Sequence, residues 1–207
     1  MPTIKTSKEE ILQKSMLLIW EKGYHYTSIG DLAATLGMAK SHFYYYFKDK
    51  EDLMKEILSY MLEQFTQMLK RIVENTELDT SGKLQKLAGK MARFYDFNGY
   101  SNGCLMANTA LECYIQKAKT TSEKEGLMAN AELESTGKEY TFLPIVRQFF
   151  STFIEYLTRI YGEKYPAEEA SKMAVQAVQE FEGALLLTRL FAEQDYLKQA
   201  LQRIAGR

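Results

Sequence analysis

Residues 40 to 50 read Lys-Ser-His-Phe-Tyr-Tyr-Tyr-Phe-Lys-Asp-Lys, a run of ammonium, imidazole and hydroxyl groups interrupted by two phenylalanines. On a helix that turns about 100° per residue, Phe43 can mark the core direction, with Ala39 and Phe47 about 40° to either side. Ser41 and Tyr45 then point straight outward, Lys40 and Tyr44 occupy one flank, and His42 and Tyr46 the other. Such a face suits a helix lying in a DNA major groove. Outward side chains meet base edges there, and flanking ones reach the phosphate walls. Catalysis finds no comparable constellation. His25 and His42 are the only histidines, and the chain carries no phosphate loop, nucleophile elbow or zinc-ligand spacing. No enzyme activity, metal or cofactor is expected.

The elements that would position this run are helical. Ser7 and Glu10 have capping-box spacing, and Gly23 can take a left-handed conformation, so a first helix is expected between them. Its apolar face is read as Ile11, Ser15, Leu18 and Lys22, flanked by Leu12 and Ile19. Thr27 or Ser28 can cap a short helix through Leu36, and Gly37 breaks it. A second short helix follows from about Lys40 to Phe47, its seam of Ala39, Phe43 and Phe47 facing Ile29, Leu32 and Leu36. Two short helices meeting at a glycine, packed on a longer preceding one, make a helix-turn-helix. A fourth helix starts at Lys50 after the candidate cap Asp49, and its N-terminus and lysine both suit a phosphate.

The segment from Thr27 to Leu53, Thr-Ser-Ile-Gly-Asp-Leu-Ala-Ala-Thr-Leu-Gly-Met-Ala-Lys-Ser-His-Phe-Tyr-Tyr-Tyr-Phe-Lys-Asp-Lys-Glu-Asp-Leu, resembles the signature of the TetR family of repressors. The upstream Glu-Lys-Gly-Tyr at the end of the first helix belongs to the same pattern, and the resemblance covers roughly residues 7 to 55. It implies a DNA-binding set of Thr27, Ser28, Lys40, Ser41, His42, Tyr44, Tyr45 and Lys50, with Tyr44 and Lys50 at phosphates and Lys40, Ser41, His42 and Tyr45 near bases. Two positions depart from the pattern. Ala39 stands where a capping residue is usual, and Ser41 where a small glycine is frequent.

Beyond the head, Leu53, Ile57, Met61, Phe65, Met68 and Ile72 recur at three- and four-residue steps, so the fourth helix should run to about Thr76 and extend roughly 40 Å. Further helices are expected at about 81 to 98, 104 to 119, 140 to 161 and 167 to 192, with a short one from Asp195 to Ala205. The Asn98-Gly99 to Asn102-Gly103 stretch reads as an interhelical turn, and 120 to 138 as polar and loosely helical. Gly103-Cys-Leu-Met-Ala-Asn108 is echoed by Gly126-Leu-Met-Ala-Asn130, and two copies do not make a repeat architecture. The first copy also resembles the TetR branch whose sixth helix opens with Gly-Cys-Leu. Known members of that branch include sensors of electrophiles and of other small organic compounds.

The domains expected are a three-helix DNA-binding head over 1–50 and a helical ligand-binding and dimerisation body over 51–207. Aromatic and Met side chains crowd the body, and the ligand-binding candidates are Phe94, Phe97, Cys104, Met106, Asn108, Tyr114, Phe149 and Phe153. Cys104 admits two readings, a reactive thiolate near a helix N-terminus or a small packed side chain. Cys113 is no same-helix partner for it, since it falls on the opposite face about 13.5 Å along. The stretch from Gly183 to Ala192 is apolar nearly all round and must be buried. The resemblance implies a four-helix bundle shared with a second subunit, with Phe181, Gly183, Ala184, Leu185 and Thr188 at the dimer interface.

Composition narrows the rest. The formal net charge is −1, with seven Lys against five acids in residues 1–50, so the head is slightly basic and the body slightly acidic. No signal peptide or membrane span is read, and two cysteines nine positions apart fit neither a disulfide framework nor a zinc site and suit a reducing compartment, so a cytoplasmic protein is expected. The reading that follows is an all-α homodimer with double-stranded operator DNA and a small-molecule effector as partners. It regulates transcription as a repressor released from a palindromic operator by its inducer. The competing reading is a ligand-binding or interaction module with a non-functional DNA-binding head, since no Arg precedes Arg71 and Arg is the commonest reader of guanine.

Overall fold

The computed structural model describes residues 7–98, 102–125 and 140–207, with side chains except at 97, 98 and 116–125. Among the described residues the chain is all-α. Its helices are α1 (Lys8–Lys22), α2 (Ile29–Thr35), α3 (Lys40–Tyr46), α4 (Lys50–Val73), α5 (Thr80–Asn98), α6 (Leu105–Glu125), α7 (Leu143–Tyr161), α8 (Ala167–Phe191) and α9 (Asp195–Ala205). The turn residues 99–101 and the echo at Gly126–Asn130 lie outside the described residues.

Local chemistry accounts for the boundaries of the head. Ser7 Oγ accepts the Glu10 amide at 3.1 Å and starts α1. Gly23 ends it at φ 92° and ψ 153°, a positive-φ but extended conformation rather than the left-handed helical one expected. Of the two candidate caps for α2, Ser28 is the one used. It accepts the Asp31 amide at 3.1 Å while Asp31 accepts the Ser28 amide at 2.8 Å, a complete capping box. At the other end Met38 donates to Ala33 O and Gly37 to Ala34 O, with Gly37 at φ 64°. This is the paired closure that a left-handed residue after a helix permits. Helix α3 opens at Ala39 without a side-chain cap. Before α4, Asp49 accepts the Asp52 amide at 2.8 Å and Asp52 accepts the Lys48 amide at 3.0 Å.

Two expectations about faces are corrected. The buried line of α1 is Ile11, Leu12, Ser15, Ile19 and Trp20. Lys22 is exposed and its ammonium lies 3.7 Å from Asp31, because steps of four keep the line on Ser15 and Ile19 and carry it past Lys22. In α3, Phe43 and Phe47 are buried as read, but Ala39 is exposed, since it is the extended residue before the first turn.

The chain forms two compact units that do not follow chain order: residues 1–59 with 105–146, and 60–104 with 147–207. The boundary read at residue 50 is not where they part, because the start of α4 buries Leu53, Met54, Ile57 and Leu58 within the first unit. Lys8 of α1 also pairs with Glu56 at 2.6 Å there. Helices α4 and α7 each contribute residues to both units.

In the second unit α5 and α8 both pack against α9. Thr188 Oγ1 accepts the Leu197 amide at 3.2 Å, and Glu180 holds both Arg203 and Arg207. The buried Lys83 pairs with Glu163 at 2.5 Å. An aromatic series runs through the interior: Phe149 stacks on Phe65 at 4.5 Å, Phe65 meets Phe153 at 5.1 Å, Phe153 meets Phe181 at 6.1 Å, and Phe181 meets Tyr95 at 5.8 Å. Among the described residues no helix is long and apolar enough to cross a membrane.

Candidate nucleic-acid interface

The outward face of α3 is held from behind by two rings. Phe43 and Phe47 are buried with their centroids 5.4 Å apart, which fixes the rotation of the helix about its own axis. Tyr45 is then 79% exposed and Tyr44 54% exposed, with Lys40, Ser41 and His42 exposed beside them. Burying two Phe side chains stabilises by about 1.5–3 kcal/mol each, so the orientation of this face is strongly determined. Tyr44 rests edge-on against Phe43 at 5.7 Å and Tyr45 against Tyr46 at 5.1 Å, and the rest of each side chain faces water. They supply hydroxyl donors and acceptors and flat apolar faces.

Lys40, the first residue of α3, brings a cation to the start of α2. A Cβ added at Gly30 would lie 3.2 Å from Lys40 Cε and 3.4 Å from its Nζ, so the lysine extends over the first turn of α2, close to Ser28. The Ser28 hydroxyl donates to Asp31 at 2.5 Å, and these bonds hold the Asp31 carboxyl below the usual carboxylate range. Tyr26, which sequence reasoning passed over, is as exposed as Tyr45 and stands immediately before this cap.

Two members of the expected DNA-binding set are placed differently. Thr27 is fully buried and its hydroxyl donates to Gly23 O at 2.7 Å, so its side chain serves the turn between α1 and α2. Lys50 folds inward. Its ammonium donates to Tyr24 O at 2.8 Å and Thr27 O at 3.0 Å, and lies 4.4 Å from the Tyr24 ring centre. Burial lowers the Lys50 pKa, and the nearby Glu112 carboxylate opposes that shift. In this arrangement the lysine fastens the turn that leads into α2.

That fastening has further members that the sequence did not single out. Glu112 of α6 accepts the His25 amide at 3.0 Å, and its Oε1 would lie 2.8 Å from a Cβ on Gly23, so a side chain there would displace the carboxylate as well as strain a positive-φ backbone. Glu51 accepts both the amide and the hydroxyl of Thr141 at 2.7 Å. Tyr24 lies edge-on to Tyr140 and to the buried Phe142, at 5.9 Å and 5.2 Å. Burial lowers the His25 pKa, with Lys50 adding to the effect and Glu112 opposing it. The same environment pushes the Cys113 thiol up to about 12, through burial first and then the Glu112 and Glu51 carboxylates. Signals for these contacts are absent from any sequence window, because the partners of the turn come from residues more than eighty positions away.

The ligand-binding candidates are divided between the units. Cys104, Phe149 and Phe153 belong to the second unit with Phe94, which is 39% exposed. Met106, Asn108 and Tyr114 belong to the first, with Met106 buried, Asn108 half-buried and Tyr114 half exposed. The side chain of Phe97 lies outside the described residues. Cys104 is buried, accepts a hydrogen bond from Tyr95 and donates one to Glu182. Glu182 was not singled out. Glu182 lies two positions after Glu180 in the same helix, and nothing in the local spacing distinguishes the acid that is buried from the one that pairs with arginines.

The dimerisation candidates require correction. Phe181, Ala184, Leu185 and Thr188 are buried inside the protomer, against α9 and the aromatic series, and only Gly183 is exposed. Among the described residues the exposed apolar side chains of α8 are Val175, Leu186, Leu187, Leu190 and Phe191, with Leu186 65% and Leu190 68% exposed and Phe191 stacked on Tyr196 at 5.6 Å.

Residues 7–57 match the family described as "Bacterial regulatory proteins, tetR family". The regulator YerO of Bacillus subtilis is 31% identical over 144 residues, 63% of this chain and 47% of YerO. The repressor ComR of Escherichia coli is 26% identical over 101 residues, 49% of this chain and 48% of ComR. These matches span about half the length of the two relatives. A TetR transcriptional regulator from Legionella pneumophila has the same fold, with a TM-score of 0.76 over 99% of this chain and 98% of that one at 24% identity. Residues 7–57 are thus a helix-turn-helix segment of the kind found in the tetR family of bacterial regulatory proteins, and the chain as a whole shares the fold of a solved TetR regulator.

Proposed function

We propose that the protein is a homodimeric repressor that binds a palindromic operator through α3 and leaves it when a small molecule occupies the body. The observation that carries this reading is the outward face of α3, where Tyr44, Tyr45, Lys40, Ser41 and His42 are exposed on a helix locked from behind by Phe43 and Phe47. Two such helices presented by a two-fold dimer meet successive major grooves roughly 34–36 Å apart. The uncovered leucines of α8, in line with Gly183, support a second copy as the cover for that face. The relative ComR is a repressor by name.

Release follows from a preference of the effector for the conformation that does not bind DNA. Helix α4 supports this route, since Lys50–Ser59 belongs to the first unit and Tyr60–Val73 to the second. The aromatic interior of the second unit supports an apolar effector.

Selection of duplexes from a random pool by the purified protein, followed by anisotropy across a salt series, tests the proposal. An inverted repeat is expected, with affinity falling steeply as salt rises. Tyr44→Phe should weaken binding, since each lost hydroxyl contact is worth about 0.5–1.5 kcal/mol and a dimer loses two. The competing reading, a binding module with a silent head, draws on the inward fold of Lys50 and the lack of any Arg before Arg71. Failure to enrich any sequence at low salt would establish that reading over the repressor.

A further inference from the structure

Three body residues, Tyr161, Glu182 and Arg207, each bury a side-chain polar atom with no hydrogen-bond partner among the described residues, and Glu182 is the carboxyl among them. Glu182 of α8 sits with its Oε1 shielded from solvent and accepting no hydrogen bond among the described residues. Glu180, two positions earlier, is matched by Arg203 and Arg207, while no Lys or Arg of the described residues pairs with Glu182. The Cys104 thiol donates to the Glu182 carboxyl and the Tyr95 hydroxyl donates to the Cys104 sulfur, so a short relay converges on the carboxyl and leaves its buried Oε1 without a hydrogen-bond partner among the described residues. Burial pushes the Glu182 carboxyl up to about 7. An unpaired buried carboxyl is costly, and an apolar side chain in its place would avoid that cost.

Beside the carboxyl the aromatic series begins. Tyr95 lies 5.8 Å from Phe181, which leads to Phe153, Phe65 and Phe149, all within the second unit. Aromatic faces attract organic cations and apolar ring systems, and a carboxylate behind them completes the recognition of a cation.

We propose that Glu182 is the anchor of an effector site for an organic cation, an ammonium or amidinium that donates to Oε1 and is carried on an aromatic or apolar body lying along Tyr95, Phe181 and Phe153. The proposal rests on the reading of the body as an effector-binding region. It names the chemical class of the effector. It also assigns the Cys104 thiol the task of orienting the carboxyl by donating to its other oxygen.

Three probes of one shape separate the chemistry: naphthylmethylamine, naphthylmethanol and naphthoate, titrated calorimetrically into the full chain at pH 8. The amine should bind at least about tenfold more tightly than the alcohol, the worth of one charge-assisted hydrogen bond, with naphthoate weakest. Glu182→Gln should reduce the amine to the affinity of the alcohol, and Cys104→Ser, which keeps a donor, should preserve the order. An amine that binds no better than the alcohol, or not at all, overturns the proposal. So does a preference that survives in Glu182→Gln. Should that variant fail to fold, the order of the three probes on the unaltered protein decides. Operator selection in the absence of probes judges the repressor reading separately: a chain that selects an operator yet ignores the charge of the probes loses only this inference.

Discussion

Replacing Glu112 by Ala tests whether α6 holds the turn that sets the DNA-reading helices. The carboxylate accepts the His25 amide at 3.0 Å in a part-buried position, and it opposes the burial-driven shift of Lys50. Removing it strands an amide, which costs about 1–3 kcal/mol, and a charged acceptor is worth roughly twice a neutral one. Lys50 still holds the turn through the carbonyls of Tyr24 and Thr27, so the effect should be local and near 2 kcal/mol. Amide hydrogen exchange on the full chain measures it directly. Protection of the His25 amide should fall about thirtyfold in Glu112→Ala, and by a smaller factor in Glu112→Gln, which keeps a neutral acceptor. Amides of α9 should not change. Unaltered His25 exchange in both variants would show that the contact carries no energy and that the turn is held by Lys50 and packing alone.

Three further outcomes follow from the same geometry. Ser28→Ala removes a complete capping box and should lower stability by about 1 kcal/mol in urea unfolding, with Ser7→Ala costing less because its box has only the one recorded bond. The raised pKa of Glu182 means that its contribution to stability is fully present below the ordinary carboxylate range and is lost as pH rises through about 7. Glu182→Gln should therefore gain on the parent chain between pH 5 and pH 8, by about 3 kcal/mol at most, as read from paired denaturation curves at the two pH values. Charging the uncovered face of α8 with Leu186→Lys and Leu190→Lys should convert a dimer to a monomer by light scattering while leaving helix content unchanged, since both side chains are exposed in the protomer. A variant that remains dimeric would place the interface elsewhere.

Much of the head was legible because its signals are local. Ser28 with Asp31, the positive-φ Gly37, and the Phe43–Phe47 pair each act over a few residues, so sequence spacing carries the geometry. Ala39 was misread because the helical wheel treats a residue preceding the first turn as though it were within it. The candidate site was legible only where exposure follows from helix phase. Tyr44 and Tyr45 fell where the wheel put them. Thr27 and Lys50, which the family resemblance and not the wheel put in the DNA-binding set, turn inward because their side chains satisfy backbone carbonyls of the turn beside them.

The amino-acid sequence alone determined the all-helical class, the positions of the helices to within a few residues except at the end of α6, which runs to Glu125 and not to about 119, and the helix-turn-helix with its outward tyrosines. Each of these is set by periodicity, caps and glycines that act within about one or two helical turns. The tertiary structure decided which side of α8 is used inside the protomer, placing Phe181, Ala184, Leu185 and Thr188 inward and leaving Leu186 and Leu190 uncovered. A helix that is apolar nearly all round has no phase from which that choice could be read. It also decided that Glu112 and Thr141 meet the head and that Glu182 faces Cys104 and Tyr95. These are contacts between residues far apart in the chain, and their energies depend on burial, which exists only once the helices have packed.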